Sequence, residues 1–235
     1  LHHVVLERWS RGRSFVHARD ARVKVLVLLA YLAAVATTSR FTLGGGACYA
    51  AVLAAAAVAA GLPVAGLALR AAAVLPFAGA FALFSLLAGD PGRAAALLTK
   101  SYLSAAAVLV LAGTTPLPKL VRGLESLGVP RFLTLVIQFL YRYLFVISEQ
   151  AQHMRMASLA RGGRSRFSHA AGAVATLFGR SYARAEGIHG AMLARGFDGR
   201  MEPLARPRFG WADILFLTAG VAAAAALRLA LGAWR

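Results

Sequence analysis

Apolar positions in this chain gather into long runs, and the polar positions between them are mostly basic. Runs at residues 23–38, 42–60, 71–89 and 101–113 are followed by a long mixed stretch, and a last run covers 211–232. A helix needs roughly 17–25 apolar residues to cross the hydrocarbon core of a bilayer, so this pattern predicts about five transmembrane helices. The second run is mostly Ala and Gly, a composition that lets helix backbones approach closely in lipid. Gly61-Leu62-Pro63 breaks the pattern and leaves 62–70 as a short amphipathic turn. Pro76 falls inside the third run and predicts a kink there. Asp90-Pro91-Gly92 reads as a turn. The fourth run is short for a crossing, which places its helix start near Ala94, with Arg93 and Lys100 reaching out to the interface.

Residues 114–208 carry a different pattern. Leu117, Leu120, Val121 and Leu124 recur at helical spacing, opened by Pro116-Leu117-Pro118 and closed by Gly128-Val129-Pro130. A second amphipathic helix is expected over 131–161 and a third over 168–195, with Arg180 and Arg184 off the apolar stripe of the third. Residues 132–147 are apolar enough to raise a sixth crossing. Gln138 and Arg142 within them favour a helix that lies against the others or only partly enters the bilayer. The chain therefore divides into 1–113, with four spans; 114–208, a module of long amphipathic helices; and 209–235, the last span. The fold class is all-α and polytopic.

Composition agrees. Of 235 residues, 59% are hydrophobic, above the roughly 45–50% of soluble domains. The net charge of +17 would suggest nucleic acid in a soluble protein. Here the charge lies in blocks between apolar runs, where positive residues mark the cytoplasmic side. Nucleic acid is thereby excluded as the partner, in favour of anionic headgroups or an acidic protein. Arg8, Arg11, Arg13, Arg19, Arg22 and Lys24 outweigh Glu7 and Asp20 in the lead-in, so the N-terminus is expected inside. Four crossings then return the chain to the inside at 114–208, where fourteen basic residues face five acidic ones. Residues 1–14 are too basic for a cleavable signal peptide, so the first span is expected to act as its own insertion signal. Asp20 is placed to cap a helix starting near Ala21.

Candidate chemistry is sparse. Cys48 is the single cysteine, and the histidines form no spacing that suits a metal. No phosphate-binding Gly-x-x-x-x-Gly-Lys-Ser/Thr loop is present, so no cofactor is expected on this chain. An intramembrane enzyme would need ionisable pairs facing a cavity, and a channel or carrier a polar path or broken helices; only Pro76 hints at the latter. What stands out is a repeat. Leu159-Ala160-Arg161-Gly162 and Leu193-Ala194-Arg195-Gly196 close the second and third amphipathic helices with the same four residues. Gly past the last turn accepts the left-handed conformation that ends a helix, and Arg there suits the negative end of the macrodipole. The residues alone leave two readings open: ordinary C-caps, or exposed guanidinium groups that dock on another protein.

Two Ala-Arg-Gly triplets on amphipathic helices between Ala-rich spans resemble the transmembrane T component of energy-coupling factor (ECF) transporters. The stretches 18–24 (ARDARVK), 124–130 (LESLGVP), 180–186 (RSYARAE) and 191–197 (AMLARGF) are similar to the cobalt-type branch, CbiQ. The resemblance covers most of the chain, and a vitamin-type T component is the alternative within the same class. It implies a non-catalytic subunit of a multi-pass inner-membrane importer for cobalt or nickel. The implied partners are two ABC-type ATPases, which bind the ATP; a separate ion-binding membrane subunit, the S component; and in some members a small accessory membrane subunit. It implies further that Ala160, Arg161, Gly162, Ala194, Arg195 and Gly196 are the ATPase-docking residues.

Overall fold

The computed structural model describes residues 9–10, 12, 14–38, 43–162, 167–199 and 209–232, and all regular structure among them is helical. The helices are α1 (Ala21–Thr37), α2 (Leu43–Ala59), α3 (Val64–Ala71), α4 (Leu75–Leu87), α5 (Pro91–Thr114), α6 (Leu117–Ser126), α7 (Arg131–Ala160), α8 (Phe167–Ala194) and α9 (Trp211–Gly232). They fall into two compact units, one made of residues 1–127 with 207–235 and the other of 128–206.

The first unit is a bundle of membrane-crossing helices. Val64–Leu87, Pro91–Thr114 and Trp211–Ala230 are long and apolar enough to cross a bilayer. α1 and α2 have 17 residues each, about 26 Å of helix at 1.5 Å per residue. The third span differs from the sequence reading. α3 is no separate turn: it runs through a 3-10 turn at Ala72–Val74 straight into α4, with Pro76 in α4's first turn. The prolyl nitrogen has no hydrogen to donate, and the tighter turn before it absorbs the missing bond. α5 starts at Pro91, capped by the Asp90 carboxylate on the Arg93 amide at 2.9 Å.

Close packing here rests on small residues. A Cβ added to Gly220 of α9 would stand 2.7 Å from Val27 of α1, so these two helices touch at backbone distance. Tyr49 of α2 is fully buried; it accepts the Tyr31 hydroxyl on its carbonyl at 3.1 Å and meets Thr38 through its own hydroxyl at 3.1 Å. A Cβ on Gly123 of α6 would lie 3.1 Å from Ala21, at the start of α1. α6 therefore belongs to this unit, and the compact units divide at 127/128 instead of the 113/114 boundary drawn from sequence.

Polar groups tie the two ends of the bundle. At one end the Asp20 side chain caps α1 on the Arg22 amide at 2.9 Å, as its position predicted. The buried Asp213 carboxylate, in the first turn of α9, accepts the Asp20 amide (3.1 Å) and the Gly210 amide (3.1 Å), with Arg19 at 3.8 Å. Lys24 is buried beside them and donates to the Thr114 carbonyl (3.0 Å) and the Thr115 hydroxyl (3.2 Å), at the end of α5. At the opposite end Lys100 donates to the carbonyls of Ala36 (3.1 Å) and Thr38 (2.7 Å). Lys100 thus satisfies the last carbonyls of α1, where an excursion to the interface was expected; those carbonyls have no partner within their own helix.

Two outcomes test this packing. Gly220→Leu should overpack the α1–α9 contact and destabilise the protein by about 1–3 kcal/mol, with Val27→Ala restoring part of the loss; thermal melts of the detergent-solubilised protein read both. Asp213→Ala removes the acceptor of two backbone amides. It should lower stability by about 1.5–3 kcal/mol, the range for hydrogen bonds to a charged group, and an unchanged melting temperature would contradict the role given to this carboxylate.

Candidate functional site

The second unit is built from α7, with 30 residues, and α8, with 28. α7 also meets the length and composition of a membrane span, although Arg131, Arg142, Glu149 and Arg155 lie along it. Aromatic rings line its first half: Phe139 stacks on Tyr143 and Tyr141 meets Phe145 edge-on. The residues that line the spaces between the two helices fix their arrangement. An apolar cavity of about 420 Å³ is walled by Leu135 to Gln150 of α7 and Ser181 to Met192 of α8, with Phe197 beyond. A polar groove of about 840 Å³ is walled by Gln150 to Arg161 of α7 and Gly172 to Arg180 of α8. Gln150 borders both, so the helices run antiparallel and open on either side of that waist.

The six residues singled out by the repeat sit at equivalent places. α7 ends at Ala160 and α8 at Ala194; each is followed by Arg at the C-cap and by Gly with positive φ, +72° at Gly162 and +78° at Gly196. The Gly196 amide donates to Leu193 at 2.9 Å and the Phe197 amide to Met192 at 3.0 Å. This is the Schellman pattern, in which two amides past the helix satisfy two of its last carbonyls. Gly162 makes the matching bond to Leu159 at 3.0 Å. All six residues are exposed. Among the described residues neither guanidinium has a hydrogen bond or ion pair.

The structure does not bring the two triplets together. Arg161 lies across the groove from the stretch that begins at Gly172, whereas Arg195 lies past the far end of α8. Twenty-three residues at 1.5 Å separate those levels, so the tips stand about 35 Å apart along the helix axis. They are two sites.

Two further α-helices of this chain end with the same pair of bonds. Gly61 and Leu62 donate to Val58 and Ala57 at the end of α2, and Gly89 and Asp90 donate to Leu86 and Ser85 at the end of α4. Their C-cap residues are Ala60 and Ala88. Glycine alone therefore terminates these helices, and the arginine at the other two ends adds something termination does not require. Its interaction with the macrodipole is worth about 0.3–1 kcal/mol, an increment α2 and α4 do without.

Other residues of the unit escaped the sequence reading. Arg180 and His153 flank the polar groove with Arg161. Arg184, four residues on, borders the apolar cavity instead, together with His189. Their spacing put both arginines off the apolar stripe, but only the crossing of the helices separates their surroundings. Among the described residues no three of His, Cys, Asp and Glu stand close enough to hold a metal ion. His17 is engaged at both ring nitrogens, with Ser14 Oγ at 2.8 Å and the Trp9 carbonyl at 3.0 Å.

Known proteins share this organisation in sequence. The family model for the cobalt transport protein CbiQ matches residues 12–204. The cobalt transport protein CbiQ of Rhodobacter capsulatus is 32% identical over 118 residues, which cover 48% of each chain. Two uncharacterised proteins of Methanocaldococcus jannaschii are also similar. One is 31% identical over 101 residues, 41% of this chain and 38% of its own. The other is 28% identical over 109 residues, 44% of this chain and 37% of its own. The chain spans half or less of the length of these curated relatives. The family match runs from the lead-in of α1 through both arginine-bearing tips, and on that match the chain belongs to the CbiQ family of cobalt transport proteins.

Proposed function

We propose that this chain is the transmembrane coupling subunit of an ECF-type importer for cobalt or nickel ions. In this reading it is a non-catalytic, multi-pass protein of the cell membrane with its N-terminus inside. Two ABC-type ATPases bind the ATP and seat the tips at Ala160-Arg161-Gly162 and Ala194-Arg195-Gly196. A separate membrane subunit binds the ion, and a small accessory membrane subunit is admitted beside it. The observation that carries the reading is the contrast among helix ends. Among the described residues five α-helices run into a glycine of positive φ (Gly61, Gly89, Gly128, Gly162 and Gly196), and only α7 and α8 place an exposed arginine before it. A guanidinium offers a planar set of donors, permanently charged, suited to carboxylates and carbonyl groups on a partner.

The separation of the tips supports two partner molecules. Tips about 35 Å apart along a helix axis are too distant for one groove to hold both. ATP-driven closure of the two ATPases would shift the tips relative to each other, and α7 and α8 would carry that shift as levers. Only contacts that differ between the two states of the assembly can drive such a change, and rigid helices convert displacement of a tip into displacement of the partner at the crossing.

Arg161→Glu combined with Arg195→Glu should abolish co-purification of the ATPases, since each change sets an anion where the partner meets a cation. The single variants should each lose part of the affinity, and their effects should add, because the sites are far apart. Undiminished association and transport by the double variant would refute the docking assignment. The cargo is tested separately. Equilibrium dialysis of the purified chain against cobalt or nickel should show no stoichiometric binding that a chelator reverses, since the ion-binding partner is assigned the ligands.

A further inference from the structure

The groove between the second half of α7 and the first half of α8 is larger and more polar than the apolar cavity on the other side of Gln150. Its walls carry Arg161, Arg180 and His153, and among the described residues no acidic side chain lines it. Arg180 stands beside Gln150 at the waist of the unit, and Arg161 at the outer end. Eight residues of α8, from 172 to 180, span the space between these levels, so the two guanidinium groups flank a trough about 12 Å long. Its floor is lowered by small residues: Ala157, Gly172 and Ala173. A Cβ added to Gly172 would meet no atom within 4 Å. The trough is therefore open at the point where a side chain would otherwise fill it.

We infer that this groove seats an acidic segment of one ATPase partner, held between Arg161 and Arg180. The inference rests on the docking reading and extends it from a helix tip to a surface. Carboxylates about 12 Å apart answer the two arginines; that spacing is eight residues along a helix or about four along an extended strand. Arginine at both ends fixes the register of such a segment, since each guanidinium offers a paired-donor fork to a carboxylate. Concavity favours a protein segment over a bilayer. Basic residues that recruit anionic headgroups act from a face laid on a plane, whereas these two charges sit at the two ends of a trough. Met192 and Phe197, on either side of the other tip, border the apolar cavity wall, to which Arg184 and His189 also belong. The two docking sites are accordingly unequal: the one at Arg161 is electrostatic and salt-sensitive, and the one at Arg195 meets its partner beside an apolar wall.

The test measures ATPase affinity for the full chain, co-produced with its partners and held in nanodiscs, at two salt concentrations. Arg180→Gln should weaken association at least tenfold and flatten the salt dependence, and Arg180→Lys should keep most of the affinity. Gly172→Leu puts a side chain into the trough at a point where its Cβ meets no atom within 4 Å and leaves every charge in place, so it should weaken association by a similar factor. Circular dichroism of both variants should show the parent's helix content. Arg161→Gln and Arg180→Gln together should cost less than the sum of the singles, because they hold one segment. If Arg180→Gln and Gly172→Leu leave affinity unchanged while Arg161→Glu with Arg195→Glu destroys it, the groove is not occupied and the tip docking stands. If all four changes are silent, the docking reading itself fails. Loss of binding to anionic vesicles by Arg180→Gln, with ATPase affinity intact, would make the groove a headgroup site and overturn the inference.

Discussion

The last carbonyls of every α-helix lack partners within the helix, and in or near a bilayer little water is at hand to supply them. Much of this structure answers that one constraint. α1 spends Thr37 and Thr38 hydroxyls on the carbonyls of Ala33 and Ala34, and Lys100 of α5 reaches the next ones. α5 ends under the ammonium of Lys24. α2 and α4 turn back on Gly61 and Gly89. In each case the device that ends one helix also fixes another element. Lys100 joins α5 to α1 at one end of the bundle and Lys24 joins α1 to α5 at the other, so two helix ends and one interhelical contact are settled by the same two side chains. Leu62, the residue after Gly61, enters the apolar core beside Ala57, which makes the termination of α2 part of the packing of the bundle.

The same constraint explains why the second unit can present charge. A glycine in the left-handed region satisfies the carbonyls through backbone amides alone. The residue before it is then released from any capping duty and its side chain points away from the helix. In the spanning unit that position holds alanine at the ends of α2 and α4 and leucine, Leu127, at the end of α6. At Arg161 and Arg195 it holds a long cation, set on a backbone that is already complete. In the docking proposed for these tips the backbone is already fixed, so only the side chain is left to be ordered on binding.

The sequence made visible what depends on local pattern. The amphipathic helices appeared within a residue of their expected limits, because caps and stripes are written at spacings of three and four: 131–161 was expected against Arg131–Ala160, and 168–195 against Phe167–Ala194. The Asp20 cap and both Ala-Arg-Gly endings were readable for the same reason. Distant partners were not. Lys100 was expected at the interface because its acceptors lie more than sixty residues earlier. Asp213 gave a faint signal, an acid in the first turn of an otherwise apolar helix, and its partner at Asp20 is 193 residues away. α6 has the outline of an independent amphipathic helix, and only the contact of Gly123 with Ala21 assigns it to the spanning unit. Arg180 and Arg184 look alike along the chain and face different surroundings once α7 crosses α8.

Those different surroundings bear on how the unit would act in the proposed coupling. The helices meet at a waist near Gln150, with an apolar cavity on one side and a polar, basic groove on the other. Closing the helices on the groove side narrows a trough that carries Arg161, Arg180 and His153, and like charges in a narrowing trough resist that motion unless an anion lies between them. Closing them on the cavity side brings apolar walls together and is favoured once water is excluded. About one waist the two closures oppose each other in rigid helices. An acidic partner segment in the groove removes the repulsion on its own side and so biases the unit toward one of two arrangements. The energy for that bias comes from the difference in partner affinity between them, which is the source that the proposed coupling role requires.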